Sequence, residues 1–131
     1  MQRSKTGNWT PAADPERPTN HKEITLREYQ QTALETAIYP DVGENIVYPA
    51  LGLAGEAGEV ANQVKKIIRD DEGALTADRA ETIISELGDV LWYAAAIANE
   101  LGITLEDVAR INIRKLRERH IKGAIKGSGE R

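Results

Sequence analysis

The 131-residue sequence contains no cysteine, which removes disulfide frameworks, thiolate zinc sites and cysteine nucleophiles together and fits a reducing compartment. Long apolar runs are also missing. The longest, residues 90 to 98, has nine residues, about half of the roughly 20 that a helix needs to cross a bilayer. The opening Met1-Gln-Arg-Ser-Lys-Thr-Gly-Asn-Trp-Thr offers no apolar stretch that would act as a signal peptide. There is no surplus of basic residues: 17 Lys and Arg stand against 21 Asp and Glu, a net charge of -4. Neither a nucleic-acid polymer nor an anionic membrane is therefore an expected partner. Histidine is confined to His21 and His120. The length suits one domain with a single core, and the expectation is a soluble, cytoplasmic protein.

What is present is helical punctuation. Residues 1 to about 24 hold three of the five prolines and no hydrophobic period, which reads as a flexible arm. Order is expected from Thr25, which forms an S/T-x-x-E pattern with Glu28, and the domain runs over 25–131. A first helix is expected over about 26 to 38, stopping before Pro40, and residues 41 to 45 read as a loop. A second helix spans about 47 to 70, with Val60, Val64, Ile67 and Ile68 at helical spacing and Gly73 after it. Thr76 caps a third, over about 77 to 101, ended by Gly102, and Thr104 with Asp107 opens a fourth over about 105 to 121. The fourth carries an apolar stripe of Leu105, Val108, Ala109, Ile113 and Leu116. No window alternates with period two, and the short connections favour antiparallel neighbours. The expected fold is all-α, an antiparallel bundle of about four helices. The glycine-rich tail from Lys122 onward is expected to leave the last helix as a loop.

Two acid pairs stand out. Glu56 and Glu59 lie three residues apart on the second helix, about 60° apart around the axis, and Glu86 and Asp89 repeat that spacing on the third. The leading acid of each pair borders the apolar face, Glu56 beside Val60 and Ile67, Glu86 beside Val90 and Ile97. After Asp89 the third helix reads Val-Leu-Trp-Tyr-Ala-Ala-Ala-Ile-Ala, apolar nearly all round, so its acids are expected to be partly enclosed. Clustered carboxylates repel one another and take up protons when desolvated, and a divalent cation reverses that preference. Oxygen donors alone suit Mg²⁺ or Mn²⁺ better than zinc or copper. A solvated helix face remains the plain alternative for either pair alone. Gly52, Gly55 and Gly58 each cost helix stability, roughly 1 kcal/mol against Ala, and so are expected to permit close approach of a neighbouring helix or a ligand.

The run Gly-Glu-Ala-Gly-Glu-Val at 55 to 60, followed by Glu-Leu-Gly-Asp-Val at 86 to 90, resembles the E-x-x-E and E-x-x-D signature of the MazG-like nucleotide pyrophosphohydrolases. The likeness extends through Leu26-Arg-Glu-Tyr-Gln, Tyr48-Pro-Ala-Leu-Gly-Leu, Lys65-Lys-Ile-Ile-Arg, Asn112-Ile-Arg-Lys-Leu-Arg-Glu-Arg119 and the Gly-Ser-Gly ending, so it covers about residues 25 to 131. It implies an α-helical domain assembled as a homodimer or homotetramer that uses Mg²⁺, with Mn²⁺ able to substitute, to cleave nucleoside triphosphates to the monophosphate and pyrophosphate. The metal ligands it implies are Glu56, Glu59, Glu86 and Asp89, with Glu56 or Glu59 doubling as general base. Many members carry a further acid directly before the first motif Glu, where this chain has Gly55, so the number of ions is left open.

Lys115 and Arg119, one turn apart on the fourth helix, resemble the family's phosphate-contacting basic pair. Asn112 falls in the apolar stripe, as a structural hydrogen-bonder or as a contact to sugar or phosphate. Tyr93, one turn after Asp89, is expected beside the base or in the core. Trp92 points away from the acids and reads as packing or subunit contact. Lys66, two turns after Glu59, offsets local negative charge or is solvated. A di-iron carboxylate bundle is disfavoured because it needs E-x-x-H pairs and neither histidine follows a Glu at that spacing. The competing non-enzymatic reading is a helical interaction or nucleotide-binding module.

Overall fold

The computed structural model describes residues 9–10 and 22–123. Four helices follow in order, α1 (Leu26–Leu34), α2 (Val47–Asp70), α3 (Ala77–Glu100) and α4 (Leu105–Ile121), with no β-strand among the described residues. The all-α fold class expected from periodicity is what the chain adopts. The flexible arm expected over 1 to 24 and the glycine-rich tail lie almost wholly outside the described residues. One exception is Trp9, half-buried, whose amide donates to the carbonyl of Leu75 at the turn between α2 and α3.

Threonine hydroxyls open three of the helices. Thr25 accepts from the Glu28 amide at 3.0 Å and Thr76 from the Arg79 amide at 3.2 Å. At α4 the exchange is reciprocal: Thr104 accepts from the Asp107 amide, and the Asp107 carboxylate accepts from the Thr104 amide, both at 3.0 Å. These bonds satisfy amides that a helix start leaves without intrahelical partners. The start of α2 is capped from one residue further out, where Asn45 accepts from the Tyr48 amide at 3.2 Å and donates to the Pro40 carbonyl at 2.8 Å.

Helix α1 is shorter than its sequence pattern suggests, ending at Leu34 and not near Ile38. The amides of Glu35, Thr36 and Ala37 turn to carbonyls three residues back. The Ala33 carbonyl is also taken by the Thr36 hydroxyl at 2.6 Å and by the indole N–H of Trp92 at 3.0 Å. A carbonyl claimed by side chains and a tightened last turn ends the helix before proline does. At the far end of α3, Gly102 adopts φ 73°, the left-handed conformation that reverses the chain into α4.

Cross-helix partners define the topology. On α2 and α3, Gly52 faces Tyr93, Glu56 faces Glu86, and Gln63 accepts from Arg79 at 2.8 Å. As one number rises the other falls, so the pair is antiparallel. The same holds for α1 and α3, where Ala33 meets Trp92 and buried Gln30 meets Ala95. Gln30 clips three elements: its amide nitrogen donates to the carbonyls of Ala95 and Ile103, and its oxygen accepts from the Leu105 amide at 3.0 Å. A buried amide with all these partners met costs little to enclose.

The core is small. Ala95, Ala98 and Leu105 are buried, with Tyr29, Ala94 and Ile103 packed against them. Helix α3 is central: α2 touches only α3 among the helices, while α1 and α4 pack on α3 and on each other. Leu105 is the one buried residue of α4 among those described, and Ile111, Ile113 and Leu116 of the same helix are exposed. Leu87 and Leu91 on α3 and Leu51, Val64 and Ile68 on α2 are exposed as well. Two expectations therefore hold only in part. The all-round apolar α3 is covered along its C-terminal half, and the stripe on α4 is covered only at its first turn. No helix among the described residues is long and apolar enough to cross a membrane.

Candidate metal and nucleotide site

Helix spacing brings each acid pair to the seam between α2 and α3, and the antiparallel register sets the pairs opposite one another. One oxygen each from Glu56, Glu86 and Asp89 lie within 4.8 Å of one another. Glu56 and Glu86 are partly buried and Asp89 is exposed. The Glu56 carboxyl is pushed up from its ordinary value, first by burial, then by the charges of Asp89, Glu86 and Glu59 and by a hydrogen bond with Glu86. Burial and like charges at close range both disfavour the ionised carboxylate. A hard divalent ion fits this donor set, since oxygens at such spacing share one ion and its charge removes the repulsion.

Glu59 stands apart. It is exposed and outside the converging trio, one turn further along α2, although its charge still reaches Glu56. Tyr29 of α1 lies within reach of the Asp89 charge, its phenol pushed up by burial and by that charge.

Next to the acids lies an aromatic wall. Tyr93 follows Asp89 by one turn, and its phenol is pushed up by burial and by the nearby Tyr48, Glu56 and Asp89. Its ring lies against the bare backbone of Gly52, where any Cβ would overlap the ring carbons. Tyr93 meets Trp92 edge to face at 5.0 Å, Trp92 meets Tyr39 edge to face at 6.4 Å, and Tyr39 stacks on Tyr48 with centroids 5.1 Å apart and planes 12° from parallel. Trp92 is tied to α1 through Ala33 and through the Thr36 hydroxyl at 2.9 Å. It packs within the chain, away from the acids. Of the three glycines expected to permit close approach of a helix or a ligand, Gly52 admits the Tyr93 ring of the neighbouring helix, and Gly55 and Gly58 face open space.

The residues expected on the phosphates are not gathered in the same place. Lys115, Arg119 and Asn112 ride on α4, which does not touch α2. Asn112 and Lys115 are exposed and Arg119 is partly buried. Asn112 was expected to be a buried amide in need of partners. Among the described residues it is exposed, as are Ile113 and Leu116 of the same stripe. Lys66 is partly buried; the Asp70 carboxyl is held down first by its hydrogen bond with Arg69 and least by the Lys66 charge.

Sequence reasoning assigned no role to Tyr48, Tyr39 or Glu100. Tyr48, Gly52 and Glu56 stand at i, i+4 and i+8 on α2, which puts them on one helix face, and that spacing was the available signal. Nothing local marks Tyr39 or Glu100.

The model of the MazG nucleotide pyrophosphohydrolase domain matches residues 49–123. The Gene 37 protein of Mycobacterium phage L5 is 47% identical over 107 residues, covering 78% of this chain and 94% of that protein. The Uncharacterized protein YvdC of Bacillus subtilis (strain 168) is 39% identical over 72 residues, 51% of this chain and 68% of that protein. No solved structure matches. The matched region contains all four motif acids, Trp92 and Tyr93, and the basic pair on α4, and the chain belongs to the MazG nucleotide pyrophosphohydrolase family.

Proposed function

We propose that this protein is a Mg²⁺-dependent pyrophosphohydrolase that cleaves nucleoside or deoxynucleoside triphosphates to the monophosphate and pyrophosphate. The observation that carries the reading is the meeting of Glu56, Glu86 and Asp89 across α2 and α3, with Glu56 pushed up by its neighbours. These three residues would hold the ion, and Mg²⁺, or Mn²⁺ in its place, supplies charge neutralisation for the phosphate oxygens when bound. Glu59, exposed and one turn away, is free to orient the attacking water and accept its proton. The water oxygen forms a bond to the α-phosphorus, the bond from that phosphorus to the bridging oxygen breaks, and pyrophosphate leaves with the electron pair. Positioning and electrostatics do most of the work in such transfers. Tyr93 packs on Gly52 beside this seam. A cytoplasmic location, where nucleoside triphosphates are held, is part of the same proposal.

We assign Lys115 and Arg119 to the phosphates, with Asn112 beside them, in a homodimer or homotetramer. Because α4 does not touch α2 within one chain, that pair would serve a site shared between copies. The exposed Ile111, Ile113 and Leu116 on α4 and Leu87 on α3 supply apolar surface for such an assembly. Mixing inactive Glu86→Gln with inactive Arg119→Ala protein checks this: shared sites regain part of the activity, whereas sites confined to one chain regain none.

Hydrolysis in ¹⁸O-labelled water tests the reaction itself. The label is expected in the nucleoside monophosphate, with unlabelled pyrophosphate and no turnover in the presence of a chelator. Labelled pyrophosphate, or a nucleoside diphosphate product, would contradict attack at the α-phosphorus.

A further inference from the structure

The loop between α1 and α2 is fastened to the end of α3 by one side chain. Glu100 accepts from the Tyr39 hydroxyl at 2.5 Å and the Gly43 amide at 2.9 Å through one oxygen, and from the Asn45 amide at 3.1 Å through the other. Three donors on a carboxylate favour its charged form. The Glu100 carboxyl is accordingly held below its ordinary value, first by the Tyr39 hydroxyl and then by the Gly43 and Asn45 amides. Tyr39 is buried, and burial together with its bond to Glu100 pushes its phenol up to about 12. Its ring is the floor on which Tyr48 stacks.

Tyr48 leaves 46% of its surface exposed, with one face on Tyr39 and its amide held by Asn45. A half-exposed aromatic clamped in this way, on the helix face that continues to Gly52 and Glu56, has lost the freedom that a surface tyrosine usually keeps. Its position lies eight residues before Glu56, about 12 Å along the helix axis at 1.5 Å per residue. Between the two stands Tyr93, which feels both Tyr48 and Glu56. Tyr93 itself is packed between Gly52 and Trp92. Of Tyr93 and Tyr48, Tyr48 is the exposed ring.

We propose that Tyr48 is the stacking platform for the base of a nucleotide whose phosphates lie at Glu56, Glu86 and Asp89, and that Glu100 is a positioning residue that fixes this platform through Tyr39 and the loop. The proposal rests on the nucleotide pyrophosphohydrolase reading and adds to it the group that holds the base. Stacking on an aromatic ring accepts every base because each has a π face. The platform therefore adds affinity for any nucleoside and leaves base choice to other contacts.

Two probes separate the base from the phosphates: inorganic tripolyphosphate, which has none, and α,β-methylene deoxynucleoside triphosphates, which resist cleavage at the α-phosphorus. Calorimetric titration of both, with Mg²⁺, is made on the full chain and on Tyr48→Leu, Glu100→Gln and Tyr39→Phe. Tyr48→Leu and Glu100→Gln are each expected to weaken the methylene nucleotides about fivefold or more while tripolyphosphate stays within about twofold. A loosened fold would weaken both probes together. Tyr39→Phe keeps the ring and removes the hydroxyl, so it is expected to repeat the Glu100→Gln result and decides the matter if Glu100→Gln does not fold. The proposal is overturned if Tyr48→Leu binds methylene nucleotides as wild type does, or if both probes weaken equally in it. It is also overturned if neither Glu100→Gln nor Tyr39→Phe changes nucleotide affinity. A wild-type chain that binds tripolyphosphate as tightly as nucleotide removes the platform and leaves the phosphate site standing. One that binds neither probe removes the pyrophosphohydrolase reading with it.

Discussion

Glu56 in the middle of α2 and Glu100 at the end of α3 are both partly buried glutamates, and their surroundings are opposite. Glu100 receives a phenol and two backbone amides, and its carboxyl is held down. Glu56 receives other carboxylates, and its carboxyl is pushed up. The first is complete as it stands: the loop supplies its donors, and it repays them by fixing the loop. The second has no such donors: its neighbours are carboxylates, whose charges oppose its own. Sequence gives the two residues the same letter. The fold makes one a fastener and the other part of an acid cluster, the one proposed above to hold a cation.

Substitutions that neutralise each glutamate should separate the two roles. Glu56→Gln, Glu86→Gln or Asp89→Asn is expected to lower Mg²⁺-dependent turnover by about a hundredfold or more in steady-state assays, since each removes charge from a shared electrostatic site. The same Glu56→Gln should raise the thermal midpoint of the metal-free protein, because it removes a repelled charge. Glu100→Gln should lower it. Equal shifts of both midpoints in one direction would break the contrast.

Glycines on α2 sharpen the comparison at the level of packing. Gly52→Ala drives a methyl into the Tyr93 ring and is expected to cost about 1–3 kcal/mol in denaturant titrations. Gly55→Ala and Gly58→Ala meet nothing and should stabilise by about 0.5–1 kcal/mol, from the better helix propensity of alanine. A neutral Gly52→Ala would mean that the α2–α3 seam is looser than described.

The pH response follows from the Glu100 environment. A carboxyl whose folded value lies below its unfolded value adds stability that is present above the unfolded value, about 4.3 for glutamate. That stability is lost as pH falls through the lower folded value. Stability measured from neutral pH down into acid should therefore decline on its acid limb in wild type, and less steeply in Glu100→Gln. An identical acid limb in both would show that the Tyr39–Glu100 link does not contribute. The smallest effect is expected at the N-terminus: removing residues 1–21 deletes the Trp9–Leu75 backbone bond and should change stability by no more than about 1.5 kcal/mol, the upper range for one hydrogen bond.

Much of the fold was legible because its signals are local. Threonines 25, 76 and 104 mark helix starts by accepting from amides three residues on, and the apolar spacing of α2, α3 and α4 gave bounds within a residue of those observed. The end of α1 was not legible, since the side chain that claims the Ala33 carbonyl from afar is Trp92, 59 positions away. The same distinction holds in the site. Three of the four motif acids converge as helical spacing suggested, whereas Glu59 stays outside the trio. Glu100 finds Tyr39 across 61 positions, a separation that no motif encodes. Asn112 was read as enclosed because its stripe looked like a core face. A face recognised from sequence does not say which chain covers it.

Titration of Mn²⁺, followed by its paramagnetic resonance signal, into metal-free wild type, Glu56→Gln and Glu100→Gln tests the contrast most directly. The acid cluster is the cation site on this account, so Glu56→Gln should bind Mn²⁺ about tenfold more weakly or worse, as loss of a direct ligand requires, while Glu100→Gln matches wild type. Wild-type affinity in Glu56→Gln, or loss of binding in Glu100→Gln, would contradict it.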